Sequence, residues 1–182
     1  MNGKTTAKAL AALRMFLGLG FLTAGLMKFF MIGATAPFTS AGFLKFGTAG
    51  TWPGVAEAAE GTPPVILNPT HDLWVALAGN PTLLSITDTL VVFGQIAIGA
   101  ALILGLATRF SGIMGAVMMT FLTLAAWDFG HGIVNQTSLY AVVALALAAT
   151  HAGMAYGLDG IIEKASYLKE HSFARRFAGV VA

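Results

Sequence analysis

The chain contains no cysteine among its 182 residues, which excludes disulfides, thiol redox chemistry and thiolate metal ligation within it. Charge is scarce too. Asp, Glu, Lys and Arg together make up 10% of the residues, where a soluble domain carries about a quarter. The net charge of +2 is small and no basic run forms a nucleic-acid surface, so nucleic acid is not an expected partner. Proline is confined to one stretch: Pro37, Pro53, Pro63, Pro64, Pro69 and Pro81 account for all six. A glycine loop for nucleotides is missing, because Gly18-x-Gly20 lies in an apolar run with no strand before it.

Apolar length is abundant. Hydrophobic residues make up 57% of the chain. A bilayer core of about 30 Å needs about 20 such residues per helical crossing. Four runs qualify, at about 9–32, 83–107, 110–127 and 137–156. They predict an all-α integral membrane four-helix bundle in residues 1–157, followed by a cytoplasmic tail, 158–182. The first run is longer than a signal-peptide core and contains Arg14 and Lys28, so it reads as a retained span. With the N-terminus inside, eight of the ten basic residues fall on the cytoplasmic side and only Lys28 and Lys45 outside. The positive-inside rule then places the protein in the cell membrane with both termini cytoplasmic.

The connections are unequal. Thr108-Arg109 is read as the tight link between the second and third spans, and roughly 128–136 joins the third to the fourth. About fifty residues, Gly33 to Thr82, form a long outer insert rich in Phe and Trp. Within it, Asn68-Pro69 followed by Thr70 to Gly79 predicts a short helix, with Asp72 in the first turn. The tail places Leu158, Ile161, Ile162, Ala165 and Leu168 at helical spacing against Lys and Glu, as an amphipathic helix on the inner leaflet would. Small residues recur at contact spacing: Gly18 with Gly25, then Ala97-Ala101-Gly105, Gly112 with Ala116, and Ala144-Ala148-Ala152. Lipid gives no hydrophobic drive between helices, so close backbone approach at such residues supplies the packing energy.

Three patterns together resemble a known family. They are Arg14-x3-Gly18-x2-Phe21-x3-Gly25-x2-Lys28, Gly94-Gln95-x3-Gly99-x5-Gly105-x2-Thr108-Arg109, and Gly153-Met154-Ala155-Tyr156-Gly157-Leu158-Asp159. Their order and spacing are similar to the DoxX/DoxD family of small four-helix membrane proteins, which includes the DoxD subunit of thiosulfate:quinone oxidoreductase. The resemblance implies respiratory redox chemistry with a quinone. It departs at Gln95, where the family often carries an acidic residue.

Ionisable residues inside spans are costly and mark candidate sites. An outer layer gathers Lys28, Asp88, Gln95, Trp127, Asp128 and His131. Lys28, Asp88 and Gln95 would hydrogen-bond a quinone, Trp127 would wall it, and Asp128 or His131 would move protons. The competing reading is structural, with Lys28 snorkelling and the carboxylates capping or pairing. An inner layer gathers Arg14, Arg109 and Asp159 as ion pairs tying the fourth helix to the hairpin, with His151 nearby. Asp128-x2-His131 lacks further ligands for a metal, and one histidine inside a span does not make a bis-histidine haem site. The partners expected are the lipid bilayer, a redox subunit and a second copy in a homo-oligomer. A non-enzymatic scaffold, recruiting a partner through the insert or tail, is the rival function. A small-solute transporter ranks last, since no inverted repeat is visible.

Overall fold

The computed structural model describes residues 3–32, 38–49, 66–127, 134–150, 152–154 and 156–164. Among them the chain is all-helical. Helix α1 (Gly3–Ile32) is followed by α2 (Ala41–Lys45), a 3-10 turn (Gly47–Ala49), α3 (His71–Gly79), α4 (Pro81–Leu104), α5 (Thr108–Ala125), α6 (Gln136–Ala149) and α7 (Leu158–Lys164). Among the described residues three segments are long and apolar enough to cross a membrane: Gly3–Met31, Pro81–Leu104 and Thr108–Ala125. Helix α6 has 14 residues, or roughly 21 Å at 1.5 Å per residue.

Glycine decides which helices pair. Helix α1 lies along α4, and α5 along α6. A Cβ added at Gly18 would stand 2.9 Å from Gly99 O, and one at Gly25 would stand 2.9 Å from Ile96 N. In the other pair, a Cβ at Gly112 would stand 2.8 Å from Ala144 O. The pairs meet through Leu17, Phe21, Ile98, Leu102, Met119 and Leu147, which form the core. The stripe Ala97-Ala101 behaves differently from expectation. Both residues face a cavity between α4 and α5, and Gly99 takes the helix contact instead.

Two breaks fall elsewhere than the hydropathy pattern implies. Gly105, at φ 65°, and Ala107, at φ 49°, are left-handed, so the link between α4 and α5 is Gly105–Ala107. Thr108 and Arg109, expected to be that link, instead open α5. Helix α6 ends at Ala149, with Thr150 in extended conformation, rather than continuing to Tyr156. That early stop frees backbone carbonyls that a continuous helix would occupy. The short helix expected in the insert starts at His71, so Pro69 sits in the preceding turn and not at a first helical position. The predicted tail helix is described only as far as Lys164 in α7.

At one end of the molecule α2 and α3 make a small cap with its own core of Leu44, Trp74, Ala78 and Ala125. Asn68 Nδ2 donates to Leu124 O at 3.1 Å and Ala125 O at 2.9 Å, satisfying two of the orphan carbonyls at the end of α5. Thr48 Oγ1 lies 2.8 Å from His71 Nδ1 and ties the turn to α3. Asn80 then caps α4, accepting from Thr82 N and Leu83 N, with Pro81 at the first helical position. Large apolar side chains face outward along the long helices, among them Phe16, Phe30, Leu90 and Phe121. A water-facing surface would not hold so much contiguous apolar area, whereas lipid solvates it.

Candidate functional site

Polar side chains collect at two levels along α1, around Arg14 and around Lys28. Fourteen residues separate them, which is roughly 21 Å along a helix axis.

The Arg14 level is a structural knot in which Arg14 Nε and Thr108 Oγ1 are the buried polar atoms left without a partner among the described residues. Arg14 is fully buried. Its guanidinium donates from Nη1 to Ala152 O at 2.8 Å and from Nη2 to Tyr156 O at 3.1 Å. These carbonyls are available because α6 stops at Ala149. Asp159 answers from the other side. Its Oδ1 accepts Ala107 N at 2.7 Å and its Oδ2 accepts Thr108 N at 2.9 Å. Ala107 has no capping side chain of its own, so a carboxylate fifty-two residues away caps α5 and meets its positive end. Arg14 and Asp159 thus share one site but direct these hydrogen bonds to backbone groups. Arg109, the third member of the expected ion-pair set, is exposed in the first turn of α5. The glycines of the motif are required by crowding. A Cβ at Gly105 or Gly157 would strike the Arg14 guanidinium, and one at Gly153 would strike Asp159 Oδ2 and Thr108 Oγ1. His151 lies outside the described residues.

The Lys28 level is the candidate site. Lys28 Nζ donates to Gln95 Oε1 at 3.0 Å, across the α1–α4 contact, and to Ala24 O at 3.3 Å within its own helix. Gln95 is buried. An ammonium has three N–H donors, so these two bonds leave a third for a ligand acceptor. The Phe38 ring stands with its centroid 6.0 Å from Nζ. The sequence places Asp88 on the face of Gln95, but Asp88 has a different partner. Its Oδ1 accepts from Ser40 N at 2.8 Å and from Ser40 Oγ, which fastens the start of α2 to α4. Asp88 therefore anchors the cap above Lys28. Trp127 is half-buried just beyond the end of α5. Asp128 and His131, the expected proton carriers, lie outside the described residues.

Sequence reasoning missed Ser40 and Phe38, since a lone serine or phenylalanine in a long insert carries no local signal. It also missed the cavity that Lys28 borders. That cavity has a volume of about 910 Å³ and runs between α4 and α5 beneath the cap. Its walls are almost wholly apolar, and Lys28, Thr39, Ser40 and Thr87 contribute polar groups toward its cap end. Ligand pockets of this kind combine an apolar body with a few placed polar groups.

A search of curated proteins found no match, and neither did a search of solved structures. A family model described as "TQO small subunit DoxD" matches residues 67–176. The match covers α3 through α7 and so includes Gln95, Gly105, Gly153 and Asp159. Joined to the long apolar helices, it identifies the chain as a membrane protein that belongs to the DoxD family.

Proposed function

We propose that this protein is a membrane subunit of a quinone-linked respiratory oxidoreductase, crossing the bilayer four times with both termini cytoplasmic. In this arrangement α1, α4, α5 and α6 are the spans. The cap is the outer face, and α7 begins the tail on the inner leaflet. At roughly 21 Å, α6 is short for a core of about 30 Å. The turn 152–154 and the Arg14 knot complete its crossing, where carbonyls released by the broken helix are held by a buried guanidinium.

The observation that carries the functional reading is the Lys28–Gln95 hydrogen bond at the edge of an otherwise apolar cavity, in a chain of the DoxD family. A quinone presents two carbonyl acceptors and no donor, which matches the spare N–H of Lys28. Its reduction to quinol takes two electrons and two protons. The electrons then come from a partner subunit or another cofactor, the former in keeping with the small-subunit description of the matching family model. In this proposal the protons pass through Asp128 and His131, which follow Trp127 in sequence. Quinone is a substrate here and not a resident group.

Protein purified from its native membrane is expected to carry extractable quinone, and the lipid-stripped protein to rebind it on reconstitution. Absence of both would refute the reading. Asp128→Asn should lower turnover by a factor of 10² or more while the subunit still assembles, since general acid–base contributions are about 10²–10⁴-fold. Unchanged turnover, together with a partner that is lost on deletion of residues 34–82, would favour the scaffold reading.

A further inference from the structure

The cavity between α4 and α5 is open along one side, where Leu90, Phe110 and Phe121 are exposed. Its floor on α4 is built from small residues, Gly94, Ala97 and Ala101, and its wall on α5 from flexible or flat ones, Phe110, Met114 and Phe121. Thr87 to Ala101 covers roughly 21 Å along the helix, most of the depth of one bilayer. At one end the slot is roofed by Phe43, Leu44 and Trp74 of the cap, and Lys28 stands at that same end. Helices α4 and α5 touch far less than α1 touches α4 or α5 touches α6, so they part along the slot.

This shape discriminates among occupants. A partner's transmembrane helix lying in the slot would meet Phe43, Leu44 and Trp74 of the cap at one end. A diacyl phospholipid would bring two chains and a phosphate against only one cation and a few hydroxyls. A single unsaturated chain ending in an uncharged, acceptor-only head fits both the apolar slot and the few donors at its cap end, Lys28 first among them. We infer that the α4–α5 slot holds the isoprenoid tail of a membrane quinone, entering sideways from the lipid, with its head ring stopped beneath the cap at Lys28. The inference rests on the quinone reading above and adds the tail site and the route of entry. Ala97 and Ala101 are then small because a chain lies over them, not because a helix does.

Ala97→Trp fills the slot from its floor without entering a helix–helix contact. Affinity is measured for two quinones with the same head, one carrying a long isoprenoid tail and one carrying none. The wild-type protein should bind the tailed form at least tenfold more tightly. Ala97→Trp should erase that advantage while leaving the tail-less form within about twofold. Should the preference for the tailed form survive the substitution, the slot assignment is wrong while the quinone reading stands. Binding of neither form to the wild-type protein overturns the quinone reading itself. A tailed quinone bearing a photoreactive diazirine checks the unaltered protein independently of folding. Labelling of Met114 or Met118 supports the slot, and labelling confined to the outward faces of α1 and α6 or to no residue contradicts it. Release of bound phospholipid by Ala97→Trp with quinone affinity unchanged would assign the slot to lipid instead.

Discussion

Arg14→Leu is expected to destabilise the protein by about 3–5 kcal/mol, the range for removing one partner of a buried charged network. The guanidinium is fully buried and holds Ala152 O and Tyr156 O, two carbonyls that α6 leaves open by ending at Ala149. Leucine would leave both without a donor in an apolar interior, and would remove the positive charge facing Asp159. Arg14→Lys should recover only part of the loss, because an ammonium lacks the rigid fork that reaches two acceptors at once. Arg109→Leu provides the comparison. Arg109 lies at the same end but is exposed, so its replacement should stay within about 0.5 kcal/mol. Reversible denaturation in mixed micelles measures all three. Equal effects at Arg14 and Arg109 would mean that the knot is not what joins the ends of these helices.

The second large effect is expected at Gly99. A Cβ there would fall on the Leu22 backbone and within 2.8 Å of Gly18 O, so Gly99→Leu must push α1 away from α4. Overpacking of this kind costs about 1–3 kcal/mol, and backbone has less room to yield than side chains. Because Lys28 reaches Gln95 across the same helix pair, the shift should also weaken quinone binding. Gly20→Leu is the matched control. Nothing stands within 4 Å of a Cβ at Gly20, and lipid accepts the leucine, so stability should hardly change. Thermal midpoints of the two variants in the same detergent compare them directly. A similar fall at both positions would show that helix propensity, not the α1–α4 contact, governs the response.

The limits of sequence reading follow from the distances involved. Helix positions were legible because hydropathy is a local property, and Gly18 and Gly25 announced the α1 face by spacing alone. The DoxD resemblance was legible from three short motifs, although what they do was not. Gly105 was read as part of a packing stripe, while its left-handed conformation makes the hairpin. The end of α6 was invisible because weakly apolar sequence, with Ala152, Met154, Ala155 and Tyr156, continues past Ala149. The break is tied to an arginine 138 residues away. Asp88 was read as a ligand group on the evidence of its helical face. Its bond to Ser40, across 48 residues, makes it an anchor for the cap. In the candidate site, Lys28 and Gln95 could be named from sequence, but only the fold shows that they hydrogen-bond and that Lys28 borders a cavity.

In the proposed site a quinone head is held at Lys28 beneath the cap. Trp74 lines the same cavity, so a bound quinone should quench its fluorescence. The direct test titrates a tailed quinone into reconstituted protein, comparing the wild type with Lys28→Met and with Lys45→Met, whose altered residue is exposed on the cap. Saturable quenching is expected in the wild type and in Lys45→Met, with half-saturation at least tenfold higher in Lys28→Met. Quenching that rises linearly without saturation, or that is identical in all three proteins, would overturn the assignment of the quinone head to Lys28.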